Sequence, residues 1–192
     1  AGARTAALLI RSFGRDMPGR APRTRFNRQV GEQRTFAYGS IPLAPLKTWA
    51  KNADGTVNDG ILTLTGGALR RYLDALGELP AGPLLAAIPV GHADGVPNPA
   101  AGGNAWSVMT ASIATHIADP QERMRRIIVG TAAAKRLDKA MGPTLLSDLM
   151  FLPPVVTTAV AGAYRRSGVN RYQPPASSVT VSNVRGSPVP LY

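Results

Sequence analysis

The sequence contains no cysteine, which excludes disulfides, thiolate nucleophiles and cysteine-based metal sites and leaves the redox compartment unmarked. Its two histidines, His92 and His116, stand apart and are too few for a zinc site. No apolar run approaches the roughly 18 residues of a membrane-spanning helix, and the first residues lack the charged start, apolar stretch and cleavage site of a secretory signal. Any membrane association is therefore expected to be peripheral. Aromatic residues make up only 6%, and the basic patches lack interleaved aromatics, which weakens a single-stranded nucleic-acid reading. Acidic residues are also scarce, 11 against 22 Lys and Arg, so the chain carries a formal charge of +11.

What is present is enough apolar material for one good core: 44% of 192 residues. The positive charge suits a phosphate-rich partner, whether nucleic acid, an anionic membrane surface or a phosphorylated cofactor, and does not choose among them. It is concentrated at the start. Residues 1–34 hold Arg4, Arg11, Arg15, Arg20, Arg23, Arg25, Arg28 and Arg34 against Asp16 and Glu32, or six of the eleven net charges. With glycine and proline scattered through it, this stretch reads as a basic linker or arm, with at most a short helix or strand over Ala6–Ile10. Residues 35–192 form the folded domain. The chain opens on Ala1 and closes on Tyr192 just after a predicted strand, and is expected to be part of a longer protein.

Alternation predicts a strand over Arg34–Ile41, followed by a short helix over Leu43–Ala50. Thr56 and Asp59 form the start signal of a second helix, a capping residue with a carboxylate three positions on. Its apolar stripe reads Ile61, Leu64, Ala68, Leu69, Tyr72, Leu73 and Leu76, and Gly77 and Pro80 end it. Leu84–Val90 is a continuous apolar run, as in a buried strand. After a loop over Gly91–Gly103, Trp106–Thr115 alternates as another strand. Asp119-Pro120-Gln121-Glu122 opens a third helix with cap, first-turn proline and glutamate in place. Met124, Ile127, Ile128, Thr131 and Ala134 are its inner side; Arg123, Arg126, Lys135 and Lys139 its outer. Gly142-Pro143 breaks it, two shorter helices follow near Thr144–Phe151 and Val155–Arg165, and Ser178–Val184 is a β-branched strand. Strands and helices interleave without regular βαβ spacing, so the expected class is α/β with a mixed-sheet sandwich.

Catalytic chemistry is thin. General acid-base and nucleophilic catalysis need a positioned histidine, cysteine, lysine or carboxylate with a partner, and His92 falls in the loop while His116 reads as structural. Gly66-Gly67 lies within a helix, where close packing explains it better than phosphate binding.

Three segments do carry a resemblance. Thr56-Val57-Asn58-Asp59, with Gly67-Ala68-Leu69-Arg70-Arg71-Tyr72-Leu73 and Gly77-Glu78-Leu79-Pro80, comes first. Ile88-Pro89-Val90, Gly103-Asn104 and Asp119-Pro120 with Arg123 form the second. The third is Ser182-Asn183-Val184-Arg185-Gly186-Ser187-Pro188. In this order and spacing, from about Arg25 to Tyr192, they resemble the C-terminal half of the bacterial wax ester synthase/diacylglycerol acyltransferase family. Arg185 and Ser187 stand where the family's Ser-Asn-Val-Pro-Gly-Pro signature has prolines. The family's His-His-x-x-x-Asp-Gly motif does not occur in these 192 residues; His92 and Asp94 have one residue between them rather than three.

The resemblance implies a chloramphenicol-acetyltransferase-like fold, that of CoA-dependent acyltransferases, built of two similar halves with the active site in a channel between them. It implies an O-acyltransferase that moves a long-chain acyl group from acyl-CoA to diacylglycerol or a long-chain alcohol, giving triacylglycerol or wax ester. Acyl-CoA is then a co-substrate and no cofactor is bound. The motif-bearing N-terminal half, expected upstream of Ala1, is the implied partner, and this chain alone is expected to be inactive. No residue of this chain is expected to be the catalytic base. Asn58, Asp59, Ser182 and Asn183 are candidates for supporting the active site, and Asn104 and Arg185 for contacting substrate. Asn58-Asp59 as a helix cap, and Ser182-Asn183 as turn formers, are the competing structural roles. The expected location is cytoplasmic, at a membrane or lipid-droplet surface. The alternative is a non-catalytic basic module that binds nucleic acid or anionic lipid, with nucleic acid the less favoured.

Overall fold

Helix caps set the frame in a computed structural model that describes residues 21–28, 31–91, 106–141, 154–168, 174–184 and 186. Helix α1 spans Leu43–Asn52 and ends where Asp54 enters the left-handed region at φ 56°, a conformation aspartate tolerates better than most residues. Helix α2, Val57–Ala75, starts with the expected capping box, Thr56 accepting from the Asp59 amide and Asp59 accepting from the Thr56 amide. Gly77, at φ 64°, closes it: its N–H reaches the Asp74 carbonyl at 2.9 Å and the Glu78 N–H the Leu73 carbonyl at 2.8 Å. Helix α3, Pro120–Met141, begins where the Glu122 amide donates to Asp119 Oδ1 at 2.7 Å. Helix α4 covers Pro154–Ser167. Ala6–Ile10, the loop after Gly91 and Thr144–Phe151 lie outside the described residues.

Among the described residues the sheet has three strands, in the order β2-β1-β3. Strand β1 (Leu85–Gly91) pairs antiparallel with β2 (Trp106–Ser112) and parallel with β3 (Val179–Thr180). The sheet is thus mixed, and the α/β class holds. On one face Ala86 and Ile88 meet Met109 and Ala111, and Leu62, Leu73 and Ile127 from α2 and α3 close over them. The other face is buried at Leu85 and Ser112 but opens along the strands, to Ala87, Thr110, Val108 and the exposed Pro89.

Five expectations need correction. Arg34–Ile41 is not a strand: among the described residues no neighbouring strand offers it a ladder. Its large side chains stand in solvent, with Phe36 86% and Tyr38 93% exposed. The strand over Ser178–Val184 shrinks to Val179–Thr180, and that over Trp106–Thr115 ends at Ser112, where Ser112 Oγ accepts from the Ala114 amide and Ala114 turns at φ 47°. The inner face of α2 is Asp59, Gly60, Leu62, Thr63, Gly66 and Leu73, with the expected Ile61 and Leu69 packed against the core beside them. Leu64, Tyr72 and Leu76 point outward instead. Small residues at positions 60 and 66 admit neighbours so closely that they define the contact side more strongly than leucine does. Finally, Arg123 is buried rather than outside.

Of the basic segment 1–34, residues 21–28 pack on the domain. Ala21 is buried, and the turn Arg25–Asn27, capped by Thr24, places Phe26 against Tyr72. Arg25 Nε donates to Glu78 at 2.9 Å, and these hydrogen bonds hold the Glu78 carboxyl below its usual range. A depressed native value means stabilisation that is present above the carboxyl's unfolded pKa and lost as pH falls through the native one. Glu78→Gln should therefore lower the melting temperature slightly at neutral pH and make no difference in strong acid, as a melting curve against pH would show.

Candidate functional site

The order of contacts fixes which ends of the elements lie together. Arg123 approaches Gly67, Thr63 Oγ1 donates to Met124 Sδ at 3.3 Å, Ile128 rests on Gly55, and Thr131 reaches Asp59. Helix α3 therefore runs back along α2. The far end of α2 lies near the start of β1 and β3, since Arg70 donates to the Thr115 carbonyl and Asn27 joins Ser177 beside the Arg25–Glu78 pair. The N-terminus of α2 consequently sits at the end of the domain toward which β1 and β3 run. Asn58 and Ser182-Asn183 are thus placed at one end, though no hydrogen bond joins them among the described residues.

Asn58 occupies the first turn of α2, partly buried, and its amide has no hydrogen-bond partner among the described residues. First-turn N–H groups and the positive end of the helix dipole surround it. Asp59, one residue on, is only 2% exposed and both its oxygens are engaged. Oδ2 accepts from the Thr56 amide at 2.8 Å and the Thr56 hydroxyl at 2.7 Å, while Oδ1 accepts from the Thr131 hydroxyl at 2.7 Å. The carboxylate thus caps α2 and ties it to α3, which fixes the direction in which Asn58 projects.

Ser182 and Asn183 are both exposed, just beyond the last ladder bond from Val181 N–H to the Ala87 carbonyl. Because Thr180 pairs with Ala87, alternation carries Ser182 onto the open face of the sheet with Ala87 and Pro89. Asn104, Arg185 and His92 lie outside the described residues.

Arg123 is a residue that sequence reasoning misassigned. Its guanidinium donates to the Ile117 carbonyl at 2.8 and 3.1 Å and to the Ala118 carbonyl at 2.9 Å. Burial, with Arg70 and Arg71 nearby, lowers its pKa, and Asp119 partly offsets this. With Arg70 on Thr115, it staples the turn between β2 and α3. Arginine can bury its charge this way because its fork fits several carbonyls at once. The adjacent glycines were the available signal, since Gly67 leaves the space in which the guanidinium lies.

Comparison with known proteins supplies the decisive observation. Residues 102–192 match the family model described as the wax ester synthase/diacylglycerol acyltransferase C-terminal domain, and residues 3–61 match that of the catalytic domain. The chain belongs to the wax ester synthase/diacylglycerol acyltransferase family. Within this family, a relative from Mycobacterium bovis, provisionally named a diacylglycerol O-acyltransferase, is 40% identical over 176 residues, covering 89% of this chain and 37% of that protein. A relative from Mycobacterium tuberculosis with the same provisional name is 33% identical over 197 residues, covering 98% of this chain and 38% of its own length. The solved wax ester synthase/diacylglycerol acyltransferase from Marinobacter aquaeolei VT8 superposes with a TM-score of 0.59 at 25% identity, covering 96% of this chain and 39% of that one. The fold is accordingly the family's CoA-acyltransferase-like α/β fold, and the chain spans under two fifths of the relatives it matches. Asn58 and Asp59 fall within the catalytic-domain match, and Ser182 and Asn183 within the C-terminal one.

Proposed function

We propose that this chain is the C-terminal part of an O-acyltransferase that moves a long-chain acyl group from acyl-CoA to diacylglycerol or a long-chain alcohol, and that it forms one wall of the acyl channel. The observation that carries the reading is the asymmetric sheet in a member of this family: one face is sealed by α2 and α3, while the other opens at the end shared by Asn58 and Ser182. A channel between two such halves excludes water from the thioester and holds an acyl chain against apolar side chains.

A histidine of a His-His-x-x-x-Asp-Gly half would take the proton from the acceptor hydroxyl. The oxygen then attacks the thioester carbonyl carbon, the C–S bond breaks, and the leaving thiolate takes up the proton to give free CoA. What this chain supplies is polarity at the developing oxyanion. The Asn58 carboxamide, at a helix N-terminus, has the donors for it. Asp59 positions Asn58 through the cap and the bond to Thr131. Ser182 and Asn183 stand at the channel rim, and Asn104 and Arg185 remain the candidates for contacting substrate. No bound cofactor is needed, acyl-CoA entering as co-substrate.

The enzyme would work peripherally at a lipid surface, where its acceptor resides. Among the described residues no helix is long and apolar enough to cross a membrane. The nucleic-acid alternative gains no support from the family matches.

The test uses this chain alone and assembled with a polypeptide carrying the histidine motif. Alone it should form no ester from acyl-CoA and diacylglycerol. In the assembled enzyme Asn58→Ala should lower kcat by roughly 10- to 100-fold, toward the lower end for an oxyanion donor, with the melting temperature little changed. Equal turnover per folded molecule would remove Asn58 from the mechanism, and ester formation by the isolated chain would overturn the division of labour.

A further inference from the structure

Besides the face it lays on the sheet, helix α2 has three sides; two are occupied, and the third is covered only at Tyr72, where Phe26 stacks on the ring. Gly60 lies against Leu46 and Ala50 of α1, and Thr63 and Gly66 lie against α3 and the exit of β2. The third side carries Leu64, Ala68, Tyr72 and Leu76, four residues apart and so in one slanting row. Leu64, Tyr72 and Leu76 are 42%, 47% and 44% exposed, and Ala68 and Ala75 are exposed beside them. A row of large apolar side chains on an amphipathic helix, facing away from its own core, is a surface that water disfavours.

Its border is basic. Arg71 is exposed at one edge. At the C-terminal end Arg25 lies over the Tyr72 ring, 5.7 Å from its centroid, and donates to the Tyr72 hydroxyl at 2.9 Å. Of the nearby carboxylates, Glu78 is held by Arg25, with Arg28 adding to the local positive field, and Asp74 is exposed on the far side of Arg71. Leucines that can enter the acyl boundary, a tyrosine at the headgroup level with Arg25 on its hydroxyl, and the exposed Arg71 at phosphate height form the arrangement of an interfacial helix. The overall charge of +11 matches the same partner.

We infer that the outer face of α2, Leu64–Ala68–Tyr72–Leu76 bordered by Arg71 and Arg25, docks the protein on an anionic lipid surface. This deepens the peripheral association proposed above by naming the face that makes it. It rests on that reading only for the choice of lipid, and its readout is physical, so its failure is distinguishable from a failure of acyl transfer.

The absence of cysteine permits a direct test on the full chain. Leu76→Cys and, as a control, Val129→Cys on α3, 61% exposed, are each labelled with an environment-sensitive fluorophore. They are mixed with vesicles of phosphatidylcholine containing phosphatidylglycerol, or of phosphatidylcholine alone. The label at position 76 should brighten and shift to the blue with anionic vesicles, and that at 129 should not. Arg71→Glu should weaken partitioning roughly tenfold, because each basic residue at such a surface contributes about 1 kcal/mol. Several results would overturn the inference. These are no vesicle binding, binding with the label at 76 unchanged, an equal response at 129, or a response at 76 that follows protein concentration without lipid, which would make the occupant a second copy.

Discussion

Asp59→Ala is expected to destabilise the domain by about 3 kcal/mol, read as a shift of the urea midpoint at unchanged slope. The estimate combines two losses. The cap of α2 disappears with the bonds to the Thr56 amide and hydroxyl, and the Thr131 hydroxyl, 1% exposed as a residue, loses its acceptor on the neighbouring helix. Thr131 keeps only its longer contact to the Ile128 carbonyl, at 3.2 Å, while the exposed Thr56 can turn to water. Asp59→Asn should fall between wild type and alanine, because a carboxamide offers one acceptor oxygen where three donors now share two. Comparing Asp59→Ala with Asn58→Ala separates architecture from chemistry: the first should act mainly on stability, the second mainly on turnover. A stability loss for Asp59→Ala within a few tenths of a kcal/mol of zero would show that the link between α2 and α3 lies elsewhere.

Gly66→Ala should be comparably severe, about 3 kcal/mol, although alanine is the better helix former by about 1 kcal/mol. A methyl group at position 66 runs into the Ile113 carbonyl. That obstacle is backbone, fixed by the hydrogen bond from Ile113 N–H to the Leu84 carbonyl, so relief requires α2 to back away and take Leu62 and Leu73 out of the core. Gly67→Ala meets only the end of the Arg123 side chain, and should cost less. Gly130→Ala, with nothing within 4 Å of the added carbon, should be neutral or gain up to ~1 kcal/mol from propensity. A ranking by thermal melts in which position 130 suffered as much as position 66 would refute the packing explanation.

Local chemistry was the legible part. Both capping signals, the glycine stop of α2, the apolar run of β1 and the inner side of α3 at Met124, Ile127, Thr131 and Ala134 depend on neighbours a few residues away, and they appear as read. Close packing at Gly66-Gly67 was legible too. The failures share a cause. Arg34–Ile41 alternates like a strand but has no strand to pair with among the described residues. Of the apolar stripe read for α2, Ile61, Leu69 and Leu73 do face the core, but Leu64, Tyr72 and Leu76 do not, and Gly60 and Gly66 complete the contact side by letting α1 and the β2 exit come close. Arg123 was read as solvated because a charge in a helix usually is, and the carbonyls of Ile117 and Ala118 that hold it became visible only with the turn folded.

By itself the sequence determined where helices begin and end, the α/β class, the absence of cysteine chemistry in these 192 residues and, through its three segments, the acyltransferase family. Only the tertiary structure decided that Asn58 and Ser182 share one end of the domain, that Asp59 is committed to Thr56 and Thr131, and that α2 turns a basic-bordered apolar face outward. The reason is one of range. Caps and periodicity act within a few residues along the chain, whereas burial and orientation depend on groups brought together from distant positions, such as the 72 residues that separate Asp59 from Thr131.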